Sequence, residues 1–165
     1  MIRPYRSPDA DAVLALNEAN VPDVGTMDAE KLQLFVDHSP YFRVVELNGQ
    51  VVGMLVGLTE AETVYPSPNF KWFCERHQSF AYVDRVALAE STRGQGWGPA
   101  LYKDFEGWAR SQNKPFLCAE VNTIPDNPRS LRFHEIYGFV EVGRERPYGA
   151  DEEVAMLECS LSDAD

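Results

Sequence analysis

The chain is poor in several things, and each scarcity narrows what it does. Cysteine occurs three times in 165 residues, at Cys74, Cys118 and Cys159, with no Cys-x-x-Cys pair. That is too few and too scattered for a disulfide framework, and the three read as buried free thiols. The three histidines, His38, His77 and His134, form neither a His-x-x-x-His spacing nor a Cys/His cluster, so no metal is implied. No stretch approaches the roughly 18 uninterrupted apolar residues of a membrane span, and Met1-Ile2-Arg3-Pro4-Tyr5-Arg6 has no apolar h-region. The chain therefore reads as cytoplasmic, with no membrane partner. Lys and Arg number 15 against 26 Asp and Glu, a net charge of −11. Phosphate backbones are met by clustered bases, so nucleic acid is not the expected partner. An acidic surface suits cationic amines, and it also serves solubility alone.

What is present fits one globular domain over residues 1–161 with a frayed tail at 162–165, since 44% of residues are apolar and 25% charged. Ser7-Pro8-Asp9 supplies an N-cap, a proline at the first helical position and an acid in the first turn, predicting a helix to about Asn20. Asp28 caps a second helix with Leu32, Phe35 and Val36 on its inner face. Tyr41–Leu47 and Val51–Leu58 flank Asn48-Gly49, a strong hairpin signal. Residues 60–79 read as a long aromatic-rich connection, either a functional lid or aromatics folded back on the core. Phe80–Leu88 is a strand, and Pro99–Ser111 a helix presenting Leu101, Phe105 and Trp108. Pro115–Asn122 is a strand, 123–128 a turn, Arg129–Ile136 a short helix, and 138–143 and 153–161 two closing strands.

The segment Arg93-Gly94-Gln95-Gly96-Trp97-Gly98 leads from a strand into a helix. Helix N-termini leave N–H groups unpaired and carry partial positive charge, so a glycine-rich entry can wrap an anion. Gly94, Gly96 and Gly98 let the backbone approach a phosphate, and Arg93 adds a fixed charge. A Walker A loop is excluded because Gly98 is followed by Pro99-Ala100, and a dinucleotide fingerprint because the glycines are spaced by two and lie mid-chain.

This segment resembles the Arg/Gln-x-x-Gly-x-Gly/Ala pattern of the GNAT acetyltransferases, with Arg93, Gly96 and Gly98 at its defining positions. Cys118-Ala119-Glu120-Val121-Asn122, Asn127-x-x-Ser130, Phe133-His134 and Gly138-Phe139 resemble the family's later motifs. The resemblance implies an α+β single domain, a mixed, mostly antiparallel central sheet splayed at the cofactor cleft, and about four flanking helices. It implies acetyl-CoA as cosubstrate without a metal. The donor would be held by amides of Gln95, Gly96 and Gly98, with Gly94, Trp97 and Arg93 alongside and Val86, Leu88 and Asn127 on the pantetheine arm. Backbone dipoles would then recruit a polyanion to an acidic chain.

An amine attacking a thioester needs a proton acceptor. Cys118, Glu120 and Asn122 share one strand face, and Glu120 matches the family's base. Asp84, with Tyr82 on its own strand face, competes for that role; its alternative is an ion pair to Arg85 or Arg93. His134 stands where many members have a tyrosine that meets the leaving thiolate, and a histidine there can donate, shuttle or accept a proton. The implied activity is transfer of an acetyl group to a primary amine of a small molecule, amino acid or peptide N-terminus, with a homodimer among the assemblies the family allows. The other readings are a non-catalytic acyl-CoA sensor of the same fold and a plain protein-interaction domain that leaves the turn empty.

Overall fold

A computed structural model describes residues 1–162. Seven strands, β1 (Ile2–Pro4), β2 (Tyr41–Leu47), β3 (Gln50–Thr59), β4 (Ala81–Leu88), β5 (Phe116–Ile124), β6 (Val140–Glu145) and β7 (Glu153–Ser160), form a sheet ordered β1-β2-β3-β4-β5-β7-β6. The β4–β5 pair is parallel, and the β1–β2, β2–β3, β5–β7 and β6–β7 ladders are antiparallel. Five α-helices accompany it among the described residues: α1 (Ala10–Ala19), α2 (Ala29–His38), α3 (Pro68–Arg76), α4 (Trp97–Ser111) and α5 (Pro128–Tyr137). This is the α+β mixed-sheet architecture expected. No helix among the described residues is long and apolar enough to cross a membrane. The tail expected at 162–165 lies, from 163 on, outside the described residues.

The chain divides into two compact units. The first comprises Met1–Leu58 and Val83–Gly107. Its hairpin turns at Asn48 (φ 52°) and Gly49 (φ 76°), the two left-handed positions that an Asn-Gly pair accommodates. Val13, Leu16, Phe35, Val44, Met54, Leu55, Leu101 and Phe105 are buried in it, each large apolar side chain contributing about 1.5–3 kcal/mol relative to exposure. Asp28 caps α2 as expected, its Oδ1 accepting from Lys31 N at 2.8 Å. The first helix starts differently. Residues Ser7–Asp9 form a 3₁₀ turn, Arg6 takes the cap position, and it is Asp9 whose carboxylate accepts from Arg6 N at 2.8 Å. Asp9 is thereby buried and bound bidentately by Arg3 at 2.8 and 2.9 Å, while Arg3 also meets Glu46. Val36, expected inside, is 41% exposed because the inner face of α2 is covered by Leu32 and Phe35.

The second unit comprises residues 59–82 and Trp108 onward. The connection expected at 60–79 contains helix α3, raising the helix number above the four anticipated. Ser67 caps it by accepting from Phe70 N, and Pro68 occupies its first turn. Phe70 and Phe73, three residues apart, bury against Phe80 and Tyr82, so the aromatics belong to the core. Trp72 lies against Gly143, where an added Cβ would sit 2.8 Å from Cζ2, and donates to Glu145 at 2.8 Å. Trp108 is half-buried; Tyr102 and Ala109 are the buried residues of α4 beside Leu101 and Phe105. Of the cysteines only Cys118 is buried, Cys74 being exposed and Cys159 intermediate.

Candidate active site

In the first unit β4 alternates: Val83, Arg85 and Ala87 are buried and Asp84, Val86 and Leu88 only partly so. A 3₁₀ turn at Glu90–Thr92 follows, closed by Thr92 Oγ1 donating to Ala89 O at 2.8 Å. Gly94 (φ 78°) and Gly96 (φ 86°) then take left-handed backbone that a side chain would strain. Helix α4 begins at Trp97, two residues before the predicted start, and its first bond runs from Ala100 N to Gly96 O at 3.1 Å. The N–H groups of Gly96, Trp97 and Gly98 precede that bond, and Pro99, third in the helix, has none to leave unmet. Gln95 is exposed and donates to Ser91 O at 3.0 Å. Arg93 donates to Asn20 Oδ1 at 2.9 Å, and Asn20 Nδ2 reaches Leu16 O at 2.8 Å and Leu88 O at 3.2 Å. Asn20 thus joins the end of α1 to the end of β4 and to the glycine turn, a link the sequence did not reveal.

Asp84 meets Arg85 Nε at 2.8 Å, and both side chains are 4% exposed. Arg85 also donates to Asn17 Oδ1 at 2.9 Å and Gly25 O at 3.0 Å, with its guanidinium 5.1 Å over the Phe35 ring. The ion pair weighed as the alternative for Asp84 is the arrangement found.

In the second unit, β4 runs parallel to β5 with Tyr82 opposite Cys118. Tyr82, fully buried, places its hydroxyl 2.8 and 2.7 Å from the two oxygens of Glu120. Asn69 of α3 directs Nδ2 at Glu120 Oε1 from 3.4 Å. Sequence reading reached Glu120 and named Tyr82 without linking them, and it missed Asn69 inside the presumed connection. The Ser67-Pro68 start of α3 was the available signal.

Asn127 is the N-cap of α5, its Oδ1 accepting from Ser130 N at 3.3 Å. The Asn-x-x-Ser motif therefore has a local structural use, leaving the amide nitrogen of Asn127 for any other partner. His134 is buried with Nδ1 2.7 Å from Ser130 O. A carbonyl only accepts, so Nδ1 carries the hydrogen and Nε2 the lone pair. Burial lowers the imidazole pKa against the opposing effect of Ser130, so the ring is neutral at pH 7. Phe133 and Phe139 meet it edge-on at 5.1 and 5.0 Å.

The fold also assembles a group that no spacing announced. Ligand-type atoms of His77, Cys118 and Glu158 lie within 4.8 Å of one another. Arg76 donates to both Glu158 oxygens at 3.0 and 3.1 Å, and His77 Nε2 is 2.6 Å from Oε2. Burial would raise the Glu158 pKa, but these donors hold it below the usual range, while burial raises that of the Cys118 thiol. The carboxylate is already engaged by a guanidinium and an imidazole, and the group is accounted for as an ion-pair cluster.

Comparison with known proteins agrees with these features. The acetyltransferase (GNAT) family matches residues 11–139. An aminoglycoside N(6′)-acetyltransferase type 1 from Serratia marcescens is 29% identical over 136 residues, 81% of this chain and 87% of that protein. Acetyltransferase Atu2258 from Agrobacterium fabrum is 32% identical over 81 residues, 49% of this chain and 56% of that protein's length, so the alignment spans about half of it. The structure of Ard1 from Thermoplasma volcanium aligns over 98% of this chain and 97% of its own with a TM-score of 0.80 at 23% identity, a likeness of fold. A match over residues 11–139, together with a glycine turn built at the head of α4, means that this chain belongs to the acetyltransferase (GNAT) family.

Proposed function

We propose that the protein is an N-acetyltransferase that moves an acetyl group from acetyl-CoA to a primary amine, with a cationic small molecule as the favoured acceptor class. The observation carrying this is the Arg93–Gly98 turn within a family match that spans it. The turn fits a pyrophosphate: two left-handed glycines expose the backbone, and the first N–H groups of α4 precede its first internal bond. Gln95, Gly96 and Gly98 would hold it, with Gly94, Trp97 and Arg93 alongside and Val86, Leu88 and the Asn127 amide nitrogen toward the pantetheine arm. When bound, acetyl-CoA supplies an acetyl thioester.

Glu120 acts as the base: the acceptor nitrogen gives up a proton to the carboxylate, which frees its lone pair for the carbonyl carbon as the carbon–sulfur bond breaks. His134 is read here as other than the proton donor its family position suggests. With the ring neutral, its hydrogen is on Nδ1 and engaged by the Ser130 carbonyl. A thiolate is stable near neutral pH and leaves with little help. Asp84 is read as structural, its contact with Arg85 at 2.8 Å supporting that role. The acceptor class follows from the net charge of −11 and from the named substrate of the Serratia relative.

Coenzyme A release measured with acetyl-CoA and a panel of an aminoglycoside, a polyamine, amino acids and an N-terminal peptide tests this. Release with the cationic amines is expected. A melting temperature raised by acetyl-CoA without release from any amine would instead establish the sensor reading.

A further inference from the structure

The hydrogen bonding around Glu120 goes beyond what a packed core requires. Tyr82 is wedged edge-on by Phe70 at 5.5 Å and lies tilted 5.9 Å from Phe73, so its hydroxyl is fixed between the two carboxylate oxygens. Asn69 is only 8% exposed, and its Oδ1 is buried with no hydrogen-bond partner among the described residues. Turning the amide over would set an oxygen against the carboxylate, two acceptors face to face, so the orientation is forced by Glu120. A buried amide oxygen left unmet is destabilising, and a leucine of similar shape would remove that penalty. Stability therefore does not account for an asparagine at this position, whereas its Nδ2 on Glu120 does.

We propose that Asn69 and Tyr82 are positioning residues that clamp the Glu120 carboxylate in one orientation for proton transfer from the acceptor amine. The proposal rests on the reading of Glu120 as the base. One proton moves from the amine nitrogen to a carboxylate oxygen, and no covalent bond of Asn69 or Tyr82 changes. Facing Glu120 are Tyr82 from β4, Asn69 from α3 and its register partner Met156 on β7; one step along the same face, Cys118 lies opposite the Glu158 carboxylate, which Arg76 and His77 hold. These groups are common to wild type and variants, so a difference between their pH profiles reports the donor removed.

The test compares wild type, Asn69→Leu and Tyr82→Phe by melting temperature and by the pH profile of kcat/KM for coenzyme A release. A donor to a carboxylate favours its ionised form, so losing one lets Glu120 keep its proton to higher pH, and activity falls first on the acid side. Tyr82→Phe is expected to move the acid limb up by about one pH unit. Asn69→Leu is expected to lower kcat/KM about threefold near neutral pH with KM for acetyl-CoA unchanged and a melting temperature equal to or above wild type. A lower melting temperature in Asn69→Leu, or acid limbs that stay in place in both variants, overturns the proposal. If wild type itself releases no coenzyme A, the acetyltransferase reading fails separately, and the Asn69→Leu melting measurement still decides whether the asparagine is there for stability.

Discussion

Replacing Arg85 by methionine probes the densest polar contact of the first unit. The guanidinium is 5% exposed, donates to Asp84, Asn17 and the Gly25 carbonyl, and covers the Phe35 ring. Methionine restores much of the aliphatic volume but no donor, so the Asp84 carboxylate loses its guanidinium while remaining out of water. Breaking a buried pair from one side costs about 3–5 kcal/mol. For a chain of 165 residues, at about 2–4 °C per kcal/mol, that lowers the melting temperature by about 10 °C. Adding Asp84→Leu removes the carboxylate as well and is expected to recover most of the loss, since an apolar pair can replace a buried ion pair at little cost. Urea and thermal unfolding of wild type, both single variants and the double variant give the comparison. A double variant as unstable as the sum of the singles refutes the ion-pair reasoning. The same proteins assign Asp84: coenzyme A release by the folded double variant persists if this carboxylate is structural and disappears if it is the base.

Two further outcomes are expected. Gly57→Ala would place a Cβ 2.3 Å from Cε1 of Phe105, a fully buried ring in edge contact with Tyr41 at 4.8 Å. Neither ring can retreat, so the urea midpoint should fall by the equivalent of about 1–3 kcal/mol, and an unchanged midpoint would show that the sheet yields there. His134 has a folded pKa below its unfolded value of about 6.5, so the unfolded chain binds the extra proton first and stability falls as pH drops below that value. His134→Phe should flatten this acid slope between pH 7.5 and 5.5 in urea unfolding, and an equal slope in the variant would count against a buried neutral imidazole.

How far the sequence carried depends on the range of each interaction. The β2–β3 hairpin was legible because Asn48 and Gly49 are adjacent and both take positive φ. The glycine turn was legible for the same local reason, although the helix begins earlier, at Trp97, because Gly96 rather than a side chain serves as its cap. Helix α3 was hidden because Phe70, Trp72 and Phe73 crowd together among Lys71, Glu75 and Arg76 instead of recurring in clean helical steps, and the aromatics masked the Ser67-Pro68 start. Glu120 was reachable from strand alternation on β5. Its partners were not, since Tyr82 is 38 residues away and Asn69 51 residues away, and only the β4–β5 register and the docking of α3 bring them to it. Asn127 carried two meanings at once, a helix cap and a family position, and the sequence alone could not separate them.

The proposed binding of a polyanionic donor by an acidic protein poses a charge problem, which the partner of Arg93 helps to answer. Arg3, Arg76 and Arg85 each meet carboxylates, so their charges are locally cancelled. Arg93 is tethered instead by the amide oxygen of Asn20, which orients a guanidinium without neutralising it. The asparagine at the end of α1 therefore does what an aspartate there could not: it fixes the arginine beside the glycine turn and leaves its full charge to act with the N–H groups of α4. On the function proposed above, a chain with a net charge of −11 can in this way keep an acidic surface for cationic amines while offering a positive site at the head of α4. The two preferences are compatible because backbone dipoles and an arginine held by an amide act locally, at the first turn of a helix, whereas net charge acts over the whole surface.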